Sequence, residues 1–374
     1  MATPPGICRP ASGGAGYLIY TNRAALFAIP FDLEALETRG TAVRVLDDVA
    51  YNGFTKTGQY DVSRTGTLVF RKASGELSAQ MTTVQWVDPT GGKQPLRATP
   101  GTYQQPSLSP DGKRIALTVD DGRNRDVWIF DPQRDALTRL TFEGYNINPT
   151  WSPDGQAIVF STLGRGLFRV RVDGASQPQA LVRTRTFLRP WSFAPDGTRL
   201  AYFETGPAPS QILTLPLVNQ GDQWKGGEPE PFFKSRFAER LPSFSPDGRW
   251  LAYDSNESGT TEVYVRAFPP PSSGQGGKWP VSTSGGTGAR WSRSGPELVY
   301  DQLMAVRYTV TVVAEKPRVW IAKLGGSEWD LAPDGKRVAV LTPVESARAP
   351  EREQEVVFLL NFVDELRRRV PPGK

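Results

Sequence analysis

The stretch Ser109-Pro110-Asp111-Gly112, followed closely by the apolar run at 114–117, decides the fold of this chain because the sequence repeats it. Further copies, two of them with Ala in place of Ser, lie at residues 152–155, 194–197, 245–248 and 332–335. Weaker copies lie at 63–66, at 292–295 and around Gly16. From residue 66 onward the motif glycines are about 40 to 50 residues apart, and a period of that length predicts one small structural unit per copy.

Four short strands are predicted in each repeat unit. In the unit quoted above, runs at 106–108, 114–117, 126–131 and 137–140 have the length of short strands and are separated by turn residues. Four antiparallel strands per unit form one blade of a β-propeller. The sequence therefore predicts an all-β propeller of four-stranded antiparallel blades with eight repeat units, or seven blades if a terminal unit is incomplete. A short helix is expected at the C-terminal end, from near Val363.

The repeat places the whole chain, residues 1–374, in a single propeller domain. The approximate blades are 6–57, 58–103, 104–146, 147–188, 189–239, 240–287, 288–326 and 327–374. Because an open ring leaves a sheet edge unpaired, we expect residues 2–8 to supply the missing outer strand of the last blade, or the first and last blades to pack face to face. In the seventh unit the second strand runs almost directly into residues 302–306, which leaves the strand pairing of that blade open.

The repeated motif has a structural explanation that requires no function. Proline presets the backbone for the first central position of a β-turn, aspartate bonds nearby backbone N–H groups, and glycine adopts a conformation that strains other residues. We therefore interpret ten residues of the five clear copies as structural turns: Asp111, Gly112, Asp154, Gly155, Asp196, Gly197, Asp247, Gly248, Asp334 and Gly335.

Composition excludes several classes of function. The chain has no histidine and a single cysteine, Cys8, so a Ser-His-Asp triad, a His-ligated metal and an internal disulfide are excluded. The net charge is +5, and the one dense basic cluster is 367–369, which a helix C-terminus explains. We predict no catalytic residue, no metal site, no cofactor and no nucleic-acid partner. No apolar run is long enough for a membrane span in this sequence.

The repeated motif, the strand Leu251-Ala252-Tyr253 and the closing run 137–141 resemble those of TolB-like, WD-repeat-like β-propellers of bacteria. More narrowly, the stretches 166–170, 255–269, 277–282 and 359–371 look like the C-terminal propeller region of bacterial receptor-type serine/threonine kinases. The chain has none of the kinase catalytic motifs. The resemblance implies a sensor or scaffold propeller on the extracytoplasmic side of a bacterial membrane, with the compartment of this chain otherwise unknown.

Propeller ligands commonly sit at the channel mouth, where loops enter the first strand of each blade. Those loops carry aromatic, amide and arginine side chains, which are typical of recognition surfaces. The candidate ligand-binding residues are Tyr103, Gln105, Tyr145, Asn148, Arg189, Arg240, Glu328 and Trp329.

The sequence favours a non-catalytic monomer that binds a protein, a peptide or a small ligand through these residues. One alternative is a glycan lyase or hydrolase that uses carboxylates alone, since two carboxylates can do acid/base work without histidine. Another is an engineered scaffold without a selected function, which the missing histidines would fit.

Overall fold

The computed structural model describes residues 6–8, 16–22, 25–32, 34–52, 57–63, 66–72, 81–121, 124–174, 176–206, 209–220, 223–271, 277–301, 304–307, 316–322, 324–326, 328–344 and 356–370. The chain divides into two compact units, whereas the repeat predicts a single domain. Unit 1 comprises residues 1–79 and 345–374, and unit 2 comprises residues 80–344.

The smaller unit, unit 1, is built from short sheets and one helix. Its largest sheet has five strands, β1 (Gly6–Cys8), β2 (Gly16–Asn22), β3 (Ala25–Asp32), β4 (Glu37–Thr38) and β5 (Val43–Leu46). A two-stranded sheet pairs β6 (Tyr51–Asn52) with β7 (Thr57–Gly58), and β8 (Tyr60–Val62) pairs with β9 (Leu68–Arg71).

Unit 2 contains six four-stranded blades, one of which has an added short strand. One blade combines β10 (Thr82–Val87) and β11 (Lys93–Gly101) with β33 (Glu328–Leu331) and β34 (Val338–Pro343). Two further blades are β12 (Tyr103–Leu108), β13 (Ile115–Asp120), β14 (Arg125–Asp131), β15 (Ala136–Arg139), and β16 (Asn146–Trp151), β17 (Ala157–Thr162), β18 (Gly166–Arg171), β19 (Gln179–Arg183).

The remaining three blades of unit 2 follow the same order from the inner to the outer strand. The first is β20 (Phe187–Phe193), β21 (Arg199–Thr205), β22 (Gln211–Gln220) and β23 (Gln223–Gly226), with β24 (Glu230–Pro231) added on β22. The others are β25 (Glu239–Phe244), β26 (Trp250–Ser255), β27 (Glu262–Ala267), β28 (Lys278–Pro280), and β29 (Arg290–Trp291), β30 (Glu297–Tyr300), β31 (Met304–Arg307), β32 (Arg318–Val319).

Apolar clusters between neighbouring blades join the six blades of unit 2 into a closed ring. Leu117 and Phe130 pack with Leu341 between the first two blades, for example, and Tyr202 packs with Val159 between the next pair. Each of the other four pairs of neighbouring blades has an apolar cluster of its own. Burial of apolar side chains from the second and third strands between blades therefore stabilises the ring.

Strands distant in sequence close both units, and this differs from the predicted blade boundaries. In unit 2, β10 pairs with β34 over six residues, from Thr82 opposite Pro343 to Val87 opposite Val338. In unit 1, β9 pairs with β35 (Val356–Leu359). The predicted blades 58–103 and 327–374 thus exchange their outer halves. The physical reason is that β34, buried from Val338 to Leu341, needs a hydrogen-bonded neighbour on both edges.

Residues 6–8 also pair differently from the expectation for the N-terminal segment. β1 lies against β2 in the first sheet, and the last blade receives its outer strands from β10 and β11. Residues 2–5 of the expected segment lie outside the described residues. The predicted N-terminal clasp on the last blade is therefore wrong for residues 6–8, because the first sheet takes them as its own edge.

The all-β fold class with four-stranded blades is confirmed. Each of the eight predicted repeat units contributes its second strand to a different sheet, six in unit 2 and two in unit 1. The seventh unit pairs normally, since Tyr300 of β30 lies opposite Met304 of β31.

The predicted C-terminal helix is confirmed as α1 (Phe362–Arg369). Its side chains Phe362 and Leu366 are buried with Tyr17 and Ile19 in the core of unit 1. Among the described residues, no helix has the length and apolar character needed to cross a membrane.

Candidate binding channel

A cavity of about 660 Å³ lies on the axis of unit 2. All six inner strands, β12, β16, β20, β25, β29 and β33, contribute to its wall. It reaches from Gln105 and Glu328 to the motif prolines Pro153 and Pro246. A volume of this size is typical of pockets that hold small molecules or short peptide segments.

Equivalent residues of three inner strands, and of the segment before a fourth, have left-handed backbone geometry at this cavity. Gln105, Asn148 and Leu241 lie three residues before the end of their strands, and Gly288 lies at the same position just before β29; their φ values are +53°, +57°, +54° and +69°. The first three lie in register shifts of the pairing with the second strand. A bulge of this kind re-aims side chains, and left-handed residues other than glycine concentrate at functional sites.

Gln105 links two neighbouring blades at the cavity. The Thr118 hydroxyl donates a hydrogen bond to Gln105 Oε1 over 2.7 Å, and the Asn148 N–H donates to the same oxygen over 2.9 Å. The Asn148 Oδ1 atom is buried and has no hydrogen-bond partner among the described residues. An acceptor left in this state lowers stability unless a bound group donates to it.

Two carboxylates of β33 bond the backbone of β12. The Gln105 N–H donates to Glu328 Oε2, and the Leu108 N–H donates to Asp330 Oδ2 over 2.7 Å. Burial raises the pKa of Glu328, while its backbone hydrogen bond and the charge of Arg189 lower it. Both carboxylates therefore connect the blade of β10, β11, β33 and β34 to the neighbouring blade, β12–β15.

Arg290 and Trp191, from two further inner strands, form another part of the wall. Arg290 of β29 bonds Asp330 over 3.4 Å, and its guanidinium carbon lies 4.2 Å from the ring centroid of Trp191 on β20. Because β25 lies between β20 and β29 in the ring, this contact passes across the channel. Burial lowers the pKa of Arg290, and Asp330 and Asp254 raise it.

Arg189 is held by aromatic rings. Its guanidinium carbon lies 4.8 Å from the ring centroid of Phe187 and 5.9 Å from that of Phe203. Burial and the charge of Arg240 lower the pKa of Arg189, whereas Glu328 raises it. The Nε atom of Arg189 and the Nε1 atom of Trp191 are buried without a hydrogen-bond partner within the described part of the chain.

Asp254 of β26 lies behind the channel wall and is 2% exposed. It accepts hydrogen bonds from the Thr287 hydroxyl and from the Gly288 N–H, the latter at 3.1 Å. Arg240 lies opposite Asp254 in the strand register. Burial raises the pKa of Asp254 to about 7, although the bonds from Thr287 and Gly288 and the nearby arginines lower it.

The structure brings five of the eight candidate residues together at the cavity: Gln105, Asn148, Arg189, Glu328 and Trp329. Arg240 is exposed and faces Asp254 from outside the cavity lining. The Tyr103 hydroxyl donates to Thr99 O and accepts from Arg97, so this side chain is a blade contact.

Tyr145 also lies away from the channel. Its ring centroid lies 4.9 Å from the Arg125 guanidinium carbon, and the two residues form a β-bridge between neighbouring blades.

Sequence reasoning missed Trp191, Asp254, Arg290 and Asp330. A signal for two of them was available, because the residue before the last inner-strand residue is Ser or Thr in four blades. Arg290 and Asp330 break that pattern, and they bond each other.

The motif aspartates make their hydrogen bonds within their own turns. Asp111 accepts from the Ser109 hydroxyl over 2.6 Å and from the Lys113 N–H over 3.1 Å. The equivalent backbone bonds occur at Asp154, Asp196, Asp247 and Asp334. The glycines that follow, Gly112, Gly155, Gly197, Gly248 and Gly335, have φ between +66° and +73°. No group of three or more acidic or cysteine side chains in the described ranges could hold a metal ion.

Comparison with known proteins gives relatives but no family assignment from profiles, since no protein-family profile matches the chain. The chain is 30% identical over 166 residues to the Tol-Pal system protein TolB of Francisella tularensis, which covers 42% of this chain and 36% of that protein. A solved structure titled putative TolB from Agrobacterium tumefaciens superposes with a TM-score of 0.53 at 16% identity, over 70% of this chain and 98% of that one. The chain therefore resembles TolB-like propellers.

A further relative carries an enzyme name. The chain is 27% identical over 177 residues to the uncharacterized peptidase YuxL of Bacillus subtilis, over 46% of this chain and 25% of that protein. The chain thus spans about a quarter to a third of the length of the curated TolB and peptidase relatives that it matches.

Proposed function

We propose that this chain is a non-catalytic binding propeller whose axial channel in unit 2 holds a peptide, a segment of a protein or a small ligand. The observation that carries the proposal is a set of buried polar atoms on two neighbouring inner strands that have no partner among the described residues: Asn148 Oδ1, Arg189 Nε and Trp191 Nε1. Buried groups of this kind are rare in folded proteins and call for an explanation. A bound ligand that bonds them supplies one.

The resemblance to TolB-like propellers supports a binding role, and the resemblance to the propellers of receptor-type kinases supports a sensory one. We place the chain on the extracytoplasmic side of a bacterial membrane on the same basis and expect a monomer. Fractionation of the source bacterium, followed by detection of the protein with a specific antibody, tests the location; recovery with the cytoplasmic proteins would contradict it.

A substitution at Gly288 tests whether the channel is the binding site. A Cβ atom at this position would meet no atom within 4 Å, and φ is +69°, a conformation that asparagine tolerates better than most residues. Gly288→Asn therefore adds a side chain at the cavity wall with little strain. Gly174→Asn is a matched control, since Gly174 has φ of +71°, no atom within 4 Å of its Cβ position and a place outside the cavity.

The experiment compares retention of a defined pool of random hexapeptides by the immobilised wild type and both variants, read by mass spectrometry. We expect the wild type and Gly174→Asn to retain the same peptides and Gly288→Asn to lose them. Equal retention by all three proteins would place the binding surface elsewhere.

A carboxylate-dependent glycan enzyme is the second candidate, and one observation favours it. Glu328 and Asp330 both line the cavity, two residues apart on one strand, and burial raises the pKa of Glu328, as a general acid requires. Each of them, however, accepts a backbone N–H from β12. New reducing or unsaturated sugar ends, released from a polysaccharide panel by the wild type and abolished in Glu328→Gln, would establish the enzyme in place of the binding module.

A further inference from the structure

The partnerless atoms of the channel have a definite chemical pattern. Arg189 Nε and Trp191 Nε1 are hydrogen-bond donors on one strand, β20, and Asn148 Oδ1 is an acceptor on the neighbouring strand, β16. All three residues line the same cavity. A ligand that forms hydrogen bonds with all three atoms must present an acceptor to β20 and a donor to β16.

The acceptor that fits β20 best is an anion. The contacts of Arg189 with Phe187 and Phe203 fix the guanidinium plane but leave its Nε–H unbonded. Arginine binds carboxylate and phosphate through parallel N–H donors, so an anionic oxygen beside Arg189 gains both a hydrogen bond and charge neutralisation.

Neighbouring negative charges limit how much charge the ligand can carry. Glu328 lies close enough to affect the pKa of Arg189, and Asp330 accepts from Arg290 over 3.4 Å. A phosphate dianion would be repelled by both carboxylates. A monoanion with an adjacent N–H donor can accept from Arg189 and Trp191 and donate to Asn148 Oδ1.

We propose that this channel recognises an α-carboxylate whose neighbouring carbon carries an N–H group. The carboxylate accepts from Arg189 and Trp191, and the N–H donates to Asn148 Oδ1. The inference rests on the binding function proposed above and names its ligand class. Two sources share this chemistry, the C-terminal end of a peptide and a free amino acid, and the test distinguishes them.

Apolar groups around the polar atoms would hold the ligand's side chain. Trp151, Phe193, Phe244, Trp291 and Trp329 all line the cavity. Aromatic rings at such positions bind large apolar side chains well, so the probes below end in phenylalanine.

Four probes test the inference by isothermal titration calorimetry with the full chain. They are N-acetyl-alanyl-alanyl-phenylalanine, its C-terminal amide, the amide carrying aspartate at its central position, and free phenylalanine. We expect the first to bind, and its amide to bind about 10- to 100-fold more weakly, since the lost interaction is a charge-assisted hydrogen bond. The aspartyl amide should also bind weakly, because its carboxylate lies on a side chain. Tighter binding of free phenylalanine than of the acetylated acid would assign the site to amino acids.

Three variants locate the interaction. Arg189→Met should weaken binding of the acetylated acid about 10- to 100-fold, and Trp191→Phe, which removes the indole N–H together with one of the two fused rings, about 3- to 10-fold. Arg189→Lys should recover part of the affinity, since the charge returns without the Nε–H. Arg183→Met is the matched control, because Arg183 also lies beside a phenylalanine ring, that of Phe168 at 5.8 Å, but is exposed on an outer strand.

Several outcomes would overturn the inference. Equal affinity for the acid and its amide, unchanged affinity in Arg189→Met, or an equal loss in Arg183→Met would each exclude α-carboxylate recognition at this site. Absence of binding by every probe at about 10 mM would do the same. None of these results affects the comparison of Gly288→Asn with Gly174→Asn, which tests the binding function by itself. If Arg189→Met does not fold, Trp191→Phe and the comparison of the acid with its amide still test α-carboxylate recognition.

Discussion

Asp254 gives the sharpest prediction about stability, because its carboxyl is buried behind the channel wall. Its substitution by asparagine keeps the shape of the side chain and removes the charge. Thr287 and the Gly288 N–H both bond Oδ2 of Asp254 in the wild type, so an asparagine oxygen in the place of Oδ2 can still accept from both. Asp254→Asn therefore imitates the protonated form of the native residue at every pH.

The expected magnitude follows from the pKa difference between the folded and unfolded states. Burial raises the pKa of Asp254 to about 7 from the ordinary value of 3.8. Between these two values the unfolded chain has released this proton and the folded chain has kept it. The free energy of unfolding of the wild type therefore falls as the pH rises through this range, by about 1.4 kcal/mol per pH unit.

Over the whole interval the loss amounts to about 4 kcal/mol, and it is complete above about pH 8. The stabilisation by protonated Asp254 is fully present below the pKa of the unfolded chain and is lost as the pH rises through the pKa of the folded chain. Asp254→Asn lacks this dependence, so its free energy of unfolding relative to the wild type should rise by about 4 kcal/mol between about pH 4 and about pH 8. Glu239 and Glu328, whose pKa values burial also raises, affect both proteins alike and cancel in the comparison.

Urea denaturation followed by tryptophan fluorescence measures the effect. All ten tryptophans of the chain lie within residues 80–344, so the fluorescence reports on unit 2 alone. Asp111→Asn is the control, since the Ser109 hydroxyl lowers the pKa of Asp111 and its substitution should change the pH dependence in the opposite direction. A constant difference between Asp254→Asn and the wild type across the pH range would refute a buried, neutral Asp254.

Two further predictions concern the turns and the closure of unit 2, with the same fluorescence assay. Gly112→Ala should destabilise unit 2 by about 1–2 kcal/mol, because φ is +69° and the new Cβ would lie 3.1 Å from Pro333 Cδ. Gly295→Ala is its control, since Gly295 has the same motif position and no atom within 4 Å, and it should change stability by no more than about 0.5 kcal/mol. Equal effects of the two substitutions would contradict the turn interpretation. Leu341→Ala should lower the free energy of unfolding of unit 2 by about 2–5 kcal/mol, because Leu341 is 3% exposed and lies opposite Val84 in the closing strand pair. Val319→Ala is its control, since that side chain is 62% exposed. Similar losses in the two variants would show that the closing strand pair contributes little.

The repeat made the second strands of the blades predictable, since the turn chemistry of the motif and the apolar run that follows are both local. The run at 114–117, for instance, lies at the start of β13. The same reasoning predicted five cavity residues, because they have a fixed place before the motif; they lie within the inner strands, however, and not in the loops where the sequence analysis expected them.

Strand partners could not be predicted in the same way. β10 and β35 both follow a second strand in sequence, and both have apolar residues suited to a sheet. Local sequence does not distinguish pairing with β9 from pairing with β34, because that choice depends on which arrangement closes each unit. The bulges at Gln105 and Asn148 could not be predicted from local sequence either, since neither residue requires a left-handed backbone.

The pairing of β10 with β34 has a consequence during protein synthesis. Val87 leaves the ribosome about 250 residues before its partner Val338, an interval of roughly 12 to 50 s at about 5–20 residues per second. The hairpin of β10 and β11 therefore presents a bare edge while the other five blades are being made, and unpaired edges of this kind recruit strands from other chains. A chaperone that covers this edge during synthesis would prevent such pairing.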